Sequence, residues 1–345
     1  MPISLKAAQG GSKAIFKERP IWSSGTFIVP VSAVYLVTAI GPGGSGAWAP
    51  AAGNGKAATG GAAGGLAQKK VRLNKGDQLT IVIGAGGQPP ATAGQNGGDG
   101  GNTTVSGPGL ALIARGGKGG KTKAAGLGTV EGAVGGLAEG GDENLPGGPS
   151  GSATITAAVA AAVAITGGGA VAVKGVGYKS GDASSGAQVA ATGGAGVGGQ
   201  SGDAISTSGT TYTPGGSAVR ASPPAMNSTS SPTGNTAPER AFSADGTAGP
   251  AYQRRMLEPN GGGVGGSSQG VNGVCWAGVG SAVMQGSSQL AAGLFAGAGA
   301  RNAGSTNGLY RSFAGIGAGS GAAVDDKPDA GGDGFVMIEW FEDLE

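Results

Sequence analysis

Glycines set three apart, placed where strand-like runs end, constrain this chain more than any other feature. The first instance lies in Thr26 to Gly46, TFIVPVSAVYLVTAIGPGGSG, where an apolar run passes directly into Gly-Pro-Gly-Gly. The spacing recurs in Gly97-Gly98-Asp99-Gly100-Gly101 and Gly116-Gly117-Lys118-Gly119-Gly120, and in the pairs Gly41 and Gly44, Gly43 and Gly46, and Gly61 and Gly64. Three residues make one turn of the extended left-handed helix of polyproline II geometry, which has no internal hydrogen bonds. Its amides must find partners sideways, and glycine lets neighbouring segments come close enough to supply them, as at the crowded axis of collagen. The spacing predicts a compact bundle of such segments with little need of a large apolar core.

The competing explanation is a disordered chain, since 79 glycines and 18 prolines are more than a quarter of the 345 residues. Disordered chains combine low hydrophobicity with high charge. Here 39% of residues are apolar, only 12% are charged and the net charge is +2, so the composition favours order. Flexible linkers would also be rich in serine and charge, whereas these glycine segments carry alanine, proline and valine.

Short runs rich in Val, Ile, Tyr and Thr read as strands. Thr26 to Val29 and Ala33 to Ile40 are separated by Pro30. Leu66 to Leu73 and Gln78 to Ile83, joined by Asn74-Lys75-Gly76-Asp77, read as a hairpin. Thr103 to Val105, Leu110 to Ala114 and the closing Phe335 to Phe341 complete the set. Ala33 to Ile40 and Phe335 to Phe341 are expected to share a sheet. The fold class is therefore mainly β with extensive irregular structure: β-sandwich-like strands combined with a bundle of polyglycine and polyproline II-type helices, and little α-helix.

The chain divides into an attachment arm at residues 1–22, a glycine-rich β domain at 23–150, a glycine- and alanine-rich loop region at 151–325, and a strand at 326–345 that returns to the first domain. Ala153 to Val173 is about as long as a membrane span, but it is mostly alanine and is interrupted by Thr166 and three glycines, which suits a buried helix or strand pair inside an oligomer. No apolar signal segment is visible in the first twenty residues, so synthesis in a cytoplasm is expected.

Several motifs fail on context. Gly41 to Gly46 matches the dinucleotide fingerprint literally, yet no helix pattern follows and no acid occurs before Asp77. Gly116 to Thr122, GGKGGKT, lacks the earlier glycine of a phosphate-binding loop, because Arg115 stands there. Asp325, Asp326, Asp329 and Asp333 do not follow calcium-loop spacing and read as a surface loop. Cys275 is the single cysteine and there is no histidine, so the thiol has no imidazole base and the commonest metal ligand is missing. The acids nearest to a glycosidase pair, Glu131, Glu139, Asp142 and Glu143, fall in glycine-rich loop sequence. The basic group Arg115, Lys118, Lys121 and Lys123 is too short for phosphate-backbone binding. These observations give no expectation of catalysis, cofactor, metal or nucleic acid. The aromatics of the 151–325 region are the binding candidates, since Tyr and Trp on loops stack on sugars or anchor protein contacts. They are Tyr178, Tyr212, Tyr252, Trp276 and Tyr310, with Arg311 beside the last.

Gly25 to Pro30, Lys75 to Gly87, Asn96 to Val105 and Gly331 to Trp340 together resemble the glycine-rich domain of tailed-bacteriophage tail fibres and tail-tip adhesins. The resemblance covers roughly the first 120 residues and the last 15. It implies a virion protein whose strands and polyglycine helices form a rigid scaffold and whose distal loops meet the host surface. It further implies a homotrimer, joined to other tail or baseplate proteins through the N-terminal arm and binding a bacterial surface protein or polysaccharide. A purely architectural tail or baseplate component is the alternative. The sequence departs from the family in lacking a long shaft and in the size of its alanine-rich middle section.

Overall fold

The computed structural model describes residues 14–172, 177–196, 201, 203–208, 210–212, 284–285, 290–292, 295–302, 312–324 and 326–343. Among these there are 23 strands, numbered here along the chain, and no helix. One sheet runs in the order β1 (Ala14–Ile21), β23 (Phe335–Asp343), β3 (Ala33–Ile40), β5 (Leu66–Leu73) and β11 (Glu143–Leu145). A second runs β10 (Ala138–Glu139), β8 (Leu110–Arg115), β7 (Asn102–Gly107), β6 (Gln78–Val82) and β2 (Gly25–Ile28). All the pairings in both sheets are antiparallel.

Alternation builds the core between them. Gln78–Val82 is exposed and buried by turns, and its Leu79 and Ile81 meet Tyr35, Val37, Leu73, Val105, Leu112, Ile338 and Trp340 in one apolar cluster drawn from both sheets. Tyr35 stacks on Trp340 with ring centroids 5.4 Å apart, and its hydroxyl donates to the Val31 carbonyl at 2.8 Å. The expected partnership of Ala33–Ile40 with the C-terminal strand is present, with Ile40 opposite Phe335 and Tyr35 opposite Trp340. The expected hairpin of β5 with β6 is not. The turn exists, closed by the Asp77 amide on the Asn74 carbonyl at 3.0 Å and by left-handed Gly76, but it carries the chain from one sheet to the other. Leu73 and Leu79 thus face each other across the core instead of sitting side by side. Of the residues expected to form an attachment arm, 14–21 lie in the same sheet, since β1 pairs with β23 from Ala14 opposite Asp343 to Ile21 opposite Val336.

Beyond the sheets the chain makes extended segments that form no β ladder. Residues 41–47 leave β3, and 59–65 return to β5. Residues 84–88 leave β6, and 97–101 return to β7. Residues 116–121 leave β8, and 132–137 return to β10. The 41–47 segment is wholly buried, yet it holds no side chain larger than proline. Its amides and carbonyls bond to six other segments: Gly44 donates to Ala62, Gly43 to Gly332 and Ser45 to Gly98, while Pro42 accepts from Gly117, Gly43 from Gly87 and Gly44 from Ser320, all between 2.8 and 3.1 Å. Backbone polar groups buried this deeply need partners, and here they find them sideways.

Two stacks of very short parallel strands extend the bundle. One side is β16 (Ala204–Ser206), β14 (Ala183–Ser185) and β12 (Ala153–Ile155), with antiparallel β9 (Gly128–Val130) at its end. The other is β17 (Thr211–Tyr212), β15 (Val189–Ala191), β13 (Val163–Ile165) and β4 (Lys56–Ala58). Smaller sheets join β18 (Met284–Gln285), β20 (Arg301–Asn302) and β22 (Ala323–Val324), and β19 (Leu290–Ala291) with β21 (Ser312–Phe313). The long alanine-rich stretch is two short strands, β12 and β13, which lie in different sheets and do not pair with each other, followed by glycine segment 166–172, and no described helix is long and apolar enough to cross a membrane.

The stacks rest on an internal repeat that the reading of the sequence above does not contain. Ser150, Ser180 and Ser201 each begin a Ser-Gly-Ser/Asp-Ala run, and Thr59, Thr166 and Thr192 each precede Gly-Gly. Every one of these six side chains is buried. The Ser180 hydroxyl accepts from the Gly151 amide at 2.8 Å, and Ser201 accepts from Gly181 at 2.6 Å. Thr166 accepts from Gly60 and Thr192 from Gly167, both at 3.1 Å. Each layer is bolted to the one before it by a hydroxyl.

Candidate binding surface

The connectivity gives the molecule two unlike ends. Ala14 and Asp343 pair at the far side of the first sheet, because β23 meets β3 with Phe335 toward the glycine segments and Trp340 away from them. At the other end each outgoing glycine segment turns back through a loop: 48–55 after the first, 89–96 after the second, 122–127 after the third and 156–162 between β12 and β13. All four loops are linked by backbone bonds, with Gly94 donating to the Trp48 carbonyl at 2.9 Å and Trp48 to the Gln95 carbonyl at 3.1 Å. Gly55 donates to the Val159 carbonyl at 3.1 Å and Gly126 to the Gly55 carbonyl at 2.9 Å. Leu127, 62% exposed, and Val159, 43% exposed, are their largest exposed apolar side chains.

Charge is handled locally. Lys123 donates to the Gly126 and Leu127 carbonyls, and Lys56 donates to the Ala51 carbonyl at 3.0 Å. Arg115 pairs with Glu139 and Lys118 with Asp99, both at 2.8 Å, so three members of the basic group are occupied within the fold. Around the last pair lies a shallow depression of about 350 Å³, lined by Asn96, Asp99, Lys118, Lys121 and Val134. Burial pushes the Asp99 carboxyl up, but the Lys118 ammonium and the Gly119 amide, which donates at 2.8 Å, outweigh it and hold the pKa below the usual aspartate value.

A family model described as a glycine-rich domain matches residues 22–230, more than half of the chain. The chain belongs to that family. No curated protein matches it. The matched span begins directly after β1 and contains both sides of the antiparallel core except β1 and β23, which pair with each other beside β3.

Two of the candidate aromatics fall on described residues of the glycine-rich domain. Tyr178 is half-buried in a glycine segment, where its carbonyl accepts from the Ala170 amide at 3.1 Å, so it is part of the bundle and not of an end loop. The backbone of Tyr212 pairs with Ala191 in the parallel stack. Tyr252, Trp276, Tyr310 and Arg311 lie outside the described residues, as does Cys275.

The acids are dispersed as acceptors. Glu139 serves Arg115, Asp142 accepts from the Lys70 amide at 2.9 Å, and Glu131 accepts from the Ser152 hydroxyl at 3.3 Å. The described C-terminal aspartates are held as well: Asp326 and Asp329 pair with buried Arg301, and Asp333 accepts from the Gly86 amide at 2.8 Å. The end loops are what sequence reasoning missed. A signal for them existed, since each sits between two glycine segments whose lateral bonding forces the chain to turn back at the same level.

Proposed function

We propose that this chain is a tail-fibre or tail-tip protein of a bacteriophage virion, which attaches the particle to the bacterial surface through loops carried on a glycine-rich scaffold. The observation that carries the reading is the polarity of the molecule: Ala14 and Asp343 are paired at one end, and the turning loops gather at the other. A scaffold of this form holds a contact surface away from its anchoring end. The resemblance of Gly25 to Pro30, Lys75 to Gly87, Asn96 to Val105 and Gly331 to Trp340 to tail adhesins supports the same reading.

In this reading the glycine segments are polyglycine II-type helices, which agrees with their three-residue spacing and lateral bonds. The working assembly is a homotrimer held to other tail or baseplate proteins on the side of the N-terminal arm. Because β12, β14 and β16 align half-buried Thr154 and Ser184 with exposed Ile205 in register, the middle region contributes side chains beside the loops of the first 150 residues.

Adsorption competition is the test. Purified protein added to host cells should reduce phage adsorption in a dose-dependent way. No reduction, with the protein still found in purified virions, would replace attachment by a purely architectural role. Release of reducing sugar from host polysaccharide would add a hydrolytic activity that the dispersed acids do not suggest.

A further inference from the structure

The parallel stacks end at a common level. The Ala322 amide donates to the Thr166 carbonyl and the Ala300 amide to Thr192, both at 3.0 Å, which sets β22 beside β13 and β20 beside β15. β18 follows β20 in its sheet and so comes level with β17, and β16, β17 and β18 are the outermost described strands of their sheets. The chain departs from this level after Tyr212 and returns to it at Met284. Residues 213–283 therefore begin and end where the described layers stop.

One tripeptide, Gly-Ser/Asp-Ala, heads the layers. Gly151-Ser152-Ala153 leads into β12, Gly181-Asp182-Ala183 into β14 and Gly202-Asp203-Ala204 into β16. Its middle side chain accepts from the layer before: the Gly132 amide donates to the Ser152 hydroxyl at 3.3 Å, the Ser152 amide to Asp182 at 2.6 Å and the Asp182 amide to Asp203 at 2.7 Å. The tripeptide occurs twice more, as Gly280-Ser281-Ala282 just before β18 and as Gly216-Ser217-Ala218 just after β17. Only Thr213-Pro214-Gly215-Gly216 separates β17 from Ser217. Four residues reach about 13 Å when extended, enough to recross the roughly 10 Å between facing sheets.

We infer that the outer edge of β16 is the docking site of this chain's own residues 217–220, which add a fourth layer in parallel, with Ala218 opposite Ala204, Val219 opposite Ile205 and Arg220 opposite Ser206. The Ala204 amide and the Ser206 carbonyl are bonded toward β14, so in a parallel ladder the Ile205 amide and carbonyl point the other way, to the added strand. This layer is also the last. The inward position two after the alanine holds Ile155, Ser185 and Ser206, all buried, but its counterpart here is Arg220, whose guanidinium reaches water only at the end of a stack. Pro223 and Pro224 follow, and neither can donate to a ladder. A cap of this kind keeps a repeat array from pairing edge to edge with other chains.

Two measurements test the docking. Hydrogen exchange of the unmodified protein, read by mass spectrometry, should show residues 217–220 exchanging on the order of a hundredfold more slowly than in urea. Exchange at the unfolded rate would overturn the inference. In a Cys275→Ser background, which removes the single native thiol, Ile205→Cys combined with Val219→Cys should be bridged by dibromobimane, a reagent that fluoresces when it joins two thiols. Ser184→Cys combined with Val219→Cys should not be bridged, because Ser184 lies opposite Ile205 and one strand further from the docked segment. Equal bridging of the two pairs, or bridging of neither, would overturn the inference. So would a bridge that joins two chains, seen as a doubled mass on a denaturing gel, which would make a second copy the occupant of the β16 edge.

Discussion

Gly43 lies so close to the Ala318 carbonyl that a Cβ built on it would stand 1.8 Å from that oxygen. The obstacle is backbone, which cannot swing aside as a flexible side chain can. Gly43 also donates to Gly332 and accepts from Gly87, so moving it loosens two further segments. Gly43→Ala should therefore destabilise the protein by on the order of 3 kcal/mol or more. Gly25→Ala is the matched comparison, because nothing lies within 4 Å of its added Cβ. Thermal unfolding of both variants should show a large fall in Tm for the first and little change for the second.

The Ser180 hydroxyl both accepts from the Gly151 amide and donates to the Gly167 carbonyl at 2.6 Å, joining two layers and one glycine segment. Ser180→Ala leaves two buried backbone groups without that partner, at a cost of about 1–3 kcal/mol for each group that water cannot reach. Thr129→Ala removes a hydroxyl of comparable size from an exposed position. Urea unfolding should separate the two, with the midpoint falling clearly only for Ser180→Ala.

These two positions also show how far the sequence could be read. Ala33–Ile40 and Phe335–Asp343 were legible because alternation and β-branched residues mark strands, and glycine spacing marked the segments between them. The hairpin reading of Leu66 to Leu73 with Gln78 to Ile83 failed because a tight turn is the same whether the next strand pairs beside its predecessor or crosses the core to face it. The repeat of Ser150, Ser180 and Ser201 was hidden by loops of unequal length, which set the serines 30 and 21 residues apart. The end loops were passed over for a different reason. Aromatics draw attention as binding residues, whereas alanines in a glycine-rich chain look like filler until the fold gathers them on one surface.

Asp99 carries a charge whose effect on stability has a definite direction. Its folded-state pKa is depressed by Lys118 and Gly119, so its contribution is present above the ordinary aspartate value of about 4 and is lost as pH falls through the lower folded value. Its side chain is 53% exposed, which keeps the effect small. Asp99→Asn keeps an oxygen for the Gly119 amide and removes only the charge. The urea midpoint of the unmodified protein should drop further between pH 6 and pH 3 than that of the variant, and added salt should narrow the difference at pH 6.

Arg301 tests the opposite regime, since its side chain is 5% exposed and pairs with Asp326 at 2.9 Å and Asp329 at 3.7 Å. It also donates to the Lys327 carbonyl, so one guanidinium holds residues 326–329 against the strand pair β20 and β22. The Ser320 hydroxyl, donating to the Asp329 carbonyl at 2.6 Å, fastens the same loop from the glycine bundle. Removing one member of a buried pair strands its partners, which costs about 3–5 kcal/mol. Arg301→Met preserves much of the volume but not the charge, and should lower Tm strongly and expose the 326–329 loop to limited proteolysis. Asp326→Asn, which leaves Asp329 in place, should do so more weakly. Equal Tm for Arg301→Met and the unmodified protein would show that packing, and not the ion pair, holds the loop.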